Sequence, residues 1–190
     1  MRVDRLASGL WRWTAPHPDW TEDDDWERDV GCVYYEAPDA TVLIDPLVPL
    51  DADRERFFEA LDLDVECRGL PVAILLTCEW HGRSAQELAE RYGAAGEARR
   101  GLEAHELPDV EERIWWIPEH SALVPGDVLL GDGAGGLAVC PDSWLGGRAT
   151  HDSIRAALRP LLELPVEQVL VSHGKPVLDR GRAALEQALR

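Results

Sequence analysis

The stretch from Ala73 to Ala85 (Ala-Ile-Leu-Leu-Thr-Cys-Glu-Trp-His-Gly-Arg-Ser-Ala) constrains the fold more than any other. Pro71 opens an apolar strand predicted over residues 72–77, and the strand ends in polar and reactive side chains. Ser84 then offers an N-cap, with Glu87 at capping-box spacing, for a helix to Tyr92 that Gly93 stops. A strand that passes straight into a helix delivers its last side chains to the mouth of an α/β fold.

The other elements are arranged to match. Residues 2–13 read as one or two strands broken at Ser8-Gly9, with Leu10, Trp11 and Trp13 as bulk. Prolines and an acidic run make residues 16–27 irregular. This segment is read as a solvated loop or as one folding over a pocket through Trp20 and Trp26. A hairpin follows, with strands at Cys32–Tyr35 and Thr41–Asp45 around the turn Ala37–Ala40. Asp53 is the expected cap of a helix through Leu61, with Phe57, Phe58 and Leu61 on one face. Residues 94–112 read as polar and loop-like, with room for one short strand. Strands are predicted over residues 113–117, 122–124, 128–130, 137–140 and 166–171, with turns at Pro118–Ser121 and Ser172–Pro176. Asp152 is the expected cap of a helix ended by Pro165, and residues 178–189 form a closing helix. Trp115 and Trp116 alternate faces, so at least one belongs to the core.

Strands first, then alternating helices and strands, favour two packed sheets with helices on their outer faces. A length of 190 residues suits one domain with a substantial core. The formal net charge of −17 argues against nucleic acid, whose phosphates need a basic footprint, and against anionic membrane surfaces. No apolar run spans a bilayer and the N-terminus lacks a signal-peptide block, so a cytoplasmic protein is the expectation. The four cysteines, Cys32, Cys67, Cys78 and Cys140, form no CxxC pair and are read mostly as buried thiols.

Three strand ends carry a family resemblance: Leu75-Leu-Thr77, Leu123-Val-Pro-Gly-Asp127 and Val169-Leu-Val-Ser-His173-Gly. In order and spacing they resemble the metallo-β-lactamase superfamily, the glyoxalase II and lactonase-like hydrolases, and Leu43-Ile-Asp45 fits that family's second hairpin. The resemblance implies a single domain over residues 1–190, a four-layer αββα sandwich. It also implies one or two metal ions at the sheet edge that activate water for attack on an ester, thioester, lactam or phosphodiester. In the family the first strand ends in Thr-His-x-His-x-Asp-His. Aligned on Thr77, those ligand positions hold Cys78, Trp80, Gly82 and Arg83 here, and His81 falls on a variable one. Asp127 matches the family's bridging carboxylate and His173 its last metal histidine. For the family's remaining histidine, His105 is nearest in place and His120 comes a turn too late.

Two surviving ligands are fewer than the three that a catalytic zinc needs. The expectation is therefore a metal-free pseudo-enzyme or small-molecule binding protein that uses the old cleft, with Trp80, Arg83, Lys175, Trp20 and Trp26 lining it. An indole at Trp80 would fill one metal's volume. Arg83 would pair with Asp127, with His81 and His173 nearby. One alternative is a hydrolase with a single zinc, iron or manganese ion, its ligands drawn from Cys78, Glu79, His81, Asp127 and His173. The other is a metal-free hydrolase using Cys78 or a water activated by His81. Bland readings stand beside these: Asp127 and His173 as structural relics, His81 as a surface histidine at a helix start, Cys78 as a buried thiol, Glu119 and His120 as turn decoration, and Lys175 as a solvated lysine.

Overall fold

The computed structural model describes residues 1–94, 96 and 100–190, so residues 95 and 97–99 of the polar stretch expected over 94–112 lie outside the described residues. The chain forms two compact units. The first comprises Met1–Leu76 and Trp80–Gly101; the second comprises Thr77–Glu79 and Leu102–Arg190.

The first unit is built on a five-stranded sheet in the order β1-β2-β3-β4-β5. β1 (Arg2–Ala7), β2 (Leu10–Pro16), β3 (Asp29–Ala37) and β4 (Ala40–Ile44) form an antiparallel meander. β5 (Val72–Leu75) lies parallel to β4. Parallel neighbours need a crossover, and α1 (Ala52–Arg68) supplies it. α1 runs seven residues beyond the expected end at Leu61. Leu61-Asp-Leu-Asp-Val alternates like a strand, but Phe57, Leu61 and Val65 recur every four residues and pack on the core of this unit. Gly69, at φ 60, ends the helix, and its N–H reaches the Val65 carbonyl. Asp53 is not the cap: Asp51 holds that position, and the Asp53 carboxylate in the first turn takes the Met1 amine.

α2 (Ala85–Tyr92) and its stop at Gly93 are as expected, but the capping box does not form. The Ser84 hydroxyl accepts from the Val48 N–H at 2.9 Å, and Glu87 pairs with Arg54. β5 ends at Leu75, two residues before the expected end. The irregular segment after β2 is held locally. Trp20 donates its indole N–H to the Trp26 carbonyl at 2.8 Å, and half-buried Trp26 packs on this unit's core.

The second unit contains a four-stranded sheet in the order β11-β8-β7-β6 and a two-stranded hairpin of β9 and β10. The strands are β6 (Glu103–Leu107), β7 (Glu112–Ile117), β8 (Ala122–Val124), β9 (Leu129–Gly131), β10 (Leu137–Val139) and β11 (Gln168–Val169). β11 is only two residues of the six expected. The Glu167 and Gln168 N–H groups both turn to the Ser121 carbonyl, and Val169 bonds back to Val177. α3 (His151–Leu158) is capped by Thr150 and not by Asp152: the Thr150 hydroxyl accepts from the Ser153 N–H, and the Ser153 hydroxyl accepts from the Thr150 N–H. Pro160 ends the α geometry earlier than Pro165, and a 3-10 turn covers residues 159–163. α4 (Gly181–Ala188) begins three residues after the expected start. The core gathers Ile114, Trp116, Leu123, Leu129, Ile154 and Leu185. Trp115 is equally buried, and the Arg113 guanidinium lies 5.1 Å from its ring centre.

Among the described residues no helix is long and apolar enough to cross a membrane. Cys32, Cys78 and Cys140 are buried free thiols and Cys67 is exposed, as expected of most.

Candidate functional site

In the first unit, chemistry gathers where β4 and β5 end. Asp45 follows β4 with its N–H bonded to the Leu75 carbonyl at 3.0 Å, and it is 2% exposed. Its φ of 50 is unusual for a residue other than glycine, though Asp tolerates it better than most. His81 sits in a 3-10 turn (Glu79–Gly82) and is 3% exposed, which corrects the reading of a surface histidine. Its Nδ1 is 2.9 Å from Asp45 Oδ2. A carboxylate on Nδ1 fixes the orientation of the ring and, in the neutral imidazole, puts the lone pair on Nε2.

Arg83, two residues on, has φ 28. Its guanidinium donates to the Gly31 carbonyl at 3.4 Å and to the Asp45 carbonyl at 3.2 Å, so backbone oxygens fix this cation. Trp80 is 51% exposed, so its indole does not fill an enclosed volume, contrary to expectation. Beneath these residues Cys32 accepts from the Leu47 N–H at 3.3 Å, and burial pushes its thiol pKa up.

The second unit holds a different set. Thr77, Cys78 and Glu79 belong to it, and the Arg113 N–H of β7 bonds to the Thr77 carbonyl at 2.7 Å. Asp127 follows β8 through Pro125-Gly126. A Cβ at Gly126 would lie 2.5 Å from Glu112 Oε2 and 3.0 Å from Thr77 Oγ1, so a side chain here would have to displace the Glu112 carboxylate. The Cys78 sulfur and an Asp127 carboxylate oxygen lie within 4.8 Å of each other. His173 Nε2 is 3.3 Å from Asp127 Oδ1, and the Trp144 indole stands edge-on to the His173 ring at 5.5 Å. The turn carrying His173 is clamped to β9: the Gly131 N–H donates to the His173 carbonyl at 3.0 Å, and Gly174, at φ 84, faces Gly131 with no room for a side chain on either.

Thus Cys78, Asp127 and His173 come together as a thiol, a carboxylate and an imidazole, while His81 and Arg83 are set with Asp45 in the first unit. Lys175 is solvent-exposed. His105 lies on β6 opposite Ile114, and His120 ends a 3-10 turn. Sequence reasoning did not single out Glu112, Cys140 or Trp144. Glu112 is 6% exposed, and its Oε2 accepts from the Val128 N–H at 3.2 Å. Burial, then the negative charges of Glu112 and Asp127, push the Cys140 thiol up to about 12. Glu112 lies in a Glu-Glu-Arg run that reads as solvated, so no signal in the sequence marks it as buried.

No protein-family model matches the sequence, and no curated protein matches it. Solved structures do match. The metallo-β-lactamase from Hirschia baltica aligns over 99% of this chain and 95% of its own, with a TM-score of 0.60 and 16% identity. The metallo-β-lactamase from Erythrobacter litoralis aligns over 98% and 89%, with a TM-score of 0.60 and 15% identity. That from Pontibacter korlensis aligns over 99% and 96%, with a TM-score of 0.54 and 15% identity. The chain has the metallo-β-lactamase fold.

Proposed function

We propose that this protein is a metal-free descendant of the metallo-β-lactamase architecture, a pseudo-enzyme that binds a small molecule where its structural neighbours' fold places metals. The observation that carries this reading is the anchoring of Arg83. A guanidinium tied to the Gly31 and Asp45 carbonyls is a permanent positive charge within the motif that would otherwise bind metal. The neighbouring motif positions do not offset it, since an indole at Trp80 and a glycine at Gly82 offer no donor atom. This donor set does not fit a two-metal centre.

One observation favours a second reading, a single metal ion supporting hydrolysis of an ester, thioester or lactone. The Cys78 sulfur and an Asp127 carboxylate oxygen lie within 4.8 Å of each other, and His173 Nε2 is 3.3 Å from Asp127 Oδ1. The ligands of that ion would come from Cys78, Asp127 and His173 of the second unit, and it would be zinc, iron or manganese. Its chemistry would be to activate water.

Metal analysis of protein purified without chelator tests the proposal. We expect zinc, iron and manganese each well below one equivalent, and no turnover of an ester, thioester and lactone panel. One equivalent of metal that disappears in Asp127→Ala and His173→Ala variants would replace the first reading with the second. Turnover without metal, lost in His81→Ala or Cys78→Ala, would replace both with a metal-free hydrolase.

A further inference from the structure

We propose that the outer edge of β1 is a self-association surface, and that its partner is a second copy of this chain. Two β1 strands pair antiparallel and join the sheets of both copies into one of ten strands, five from each. β1 ends the strand order, and among the described residues no other strand lies against its outer side. Such an edge offers a row of N–H and C=O groups to another chain, and proteins ordinarily blunt it with bulges or lysines. Here the irregularity in pairing with β2 falls between Arg5 and Ala7, which leaves residues 2–5 in regular register. No lysine stands on the strand, and its charges are of both signs: Arg2, Asp4 and Arg5.

Symmetry and charge together select one register. A twofold axis perpendicular to the sheet keeps each face of β1 on its own side, so side chains meet only others of the same face and the axis passes through a residue. Centred on Arg2, Asp4 or Arg5, the axis would set two like charges on each other. Leu6 falls within the irregularity and has no register partner on β2. Centred on Val3, the axis sets Arg2 of each copy opposite Asp4 of the other, and Val3 against Val3. Arg2 Nε already lies 3.0 Å from Asp4 Oδ2 within one copy, so the two strands assemble four charges of alternating sign. Val3 is 54% exposed, an apolar group left in water at the centre of this register. It faces the side of α1, where it lines a pocket of ≈ 220 Å³ with Trp11, Trp13 and Phe57. Leu63 of α1, one turn from the pocket-lining Ala60, is 59% exposed. Apolar groups gathered beside an unpaired edge mark a contact surface. The net charge of −17 opposes the approach of a second copy, but residues 2–5 carry two arginines against one aspartate and do not add to that repulsion. The surface uses none of Cys78, Asp127 or His173, and its test does not depend on metal content or turnover.

Sedimentation velocity of the full chain over about 1–100 μM should show a monomer–dimer equilibrium. Arg2→Asp and Asp4→Arg each set like charges across the axis and should weaken the dimer at least about tenfold. The double variant Arg2→Asp/Asp4→Arg restores opposite charges and should recover the dimer. Mild oxidation checks the register, with exposed Cys67 replaced by serine because the other three cysteines are buried. Val3→Cys lies on the axis and should form an interchain disulfide. Asp4→Cys should not, because its mate lies beyond the Cα separation of about 7 Å that a disulfide can bridge. A monomer at every concentration would overturn the proposal and leave the edge to an extended segment of a different protein. Failure of the double variant to recover the dimer, or crosslinking through Asp4→Cys in place of Val3→Cys, would overturn it as well.

Discussion

Asp45 combines two costly conditions, a left-handed backbone and almost complete burial, and its side chain meets His81. Backbone strain of this kind persists only where the surroundings enforce it, and it gathers at functional sites. Arg83, also at positive φ, is bonded to the Asp45 carbonyl, so two strained residues brace one imidazole. Removing the Asp45 carboxylate would leave a buried histidine nitrogen without its acceptor. Asp45→Ala should therefore lower the unfolding free energy by about 1–3 kcal/mol in urea denaturation. Asp45→Asn can still present an oxygen to Nδ1–H and should cost clearly less. Equal losses in the two variants would mean that the carboxylate's charge, and not its hydrogen bond, holds the ring. The pair was beyond sequence reading because its members are 36 residues apart and each looks ordinary alone. Cys78, Asp127 and His173 were legible because each closes an apolar run.

Among the elements, the turn after β11 depends on backbone meeting backbone. A Cβ on Gly174 would lie 2.6 Å from the Gly131 carbonyl oxygen, whereas one on Gly133, at a similar φ of 77, would meet nothing within 4 Å. Gly133→Ala should then cost only the left-handed penalty of about 1–2 kcal/mol. Gly174→Ala adds a clash that no side chain can relieve, so its loss in thermal or urea unfolding should be at least about twice as large. Similar losses would mean that β9 yields easily and that His173 is not held by this clamp. Strand cores and glycine stops were legible because apolar runs and Gly93 act locally. The caps were not. Thr150 outcompetes Asp152 because its hydroxyl meets the Ser153 N–H, and Ser84 is drawn away by the Val48 N–H, a partner 36 residues distant. The length of α1 was hidden because Leu61-Asp-Leu-Asp fits a period of two as well as a helix.

For the whole molecule, charge and buried acids set the response to solution conditions. A net charge of −17 repels itself in the compact state, and salt screens that repulsion. The unfolding midpoint should rise as ionic strength goes from about 10 mM to about 1 M, where the screening length falls from about 30 to about 3 Å. A falling midpoint would mean that surface ion pairs outweigh the repulsion. At high pH, burial holds the Cys140 thiol at about 12 against an ordinary 9.0, and the Tyr34 hydroxyl at about 12 against 10.0. The native state keeps these protons after the unfolded chain has released them. Stability is then fully present below pH 9.0 and is lost as pH rises towards about 12. Urea midpoints measured across that window should decline, and less steeply in Cys140→Ala. The excursion of Thr77–Glu79 into the second unit has a consequence for synthesis. These residues leave the ribosome with the first unit, but their partners Glu112, Arg113 and Gly126 are translated later. Until then this three-residue stretch, which includes Cys78, has yet to meet its partners in the second unit. No single cut in the chain can release both units intact.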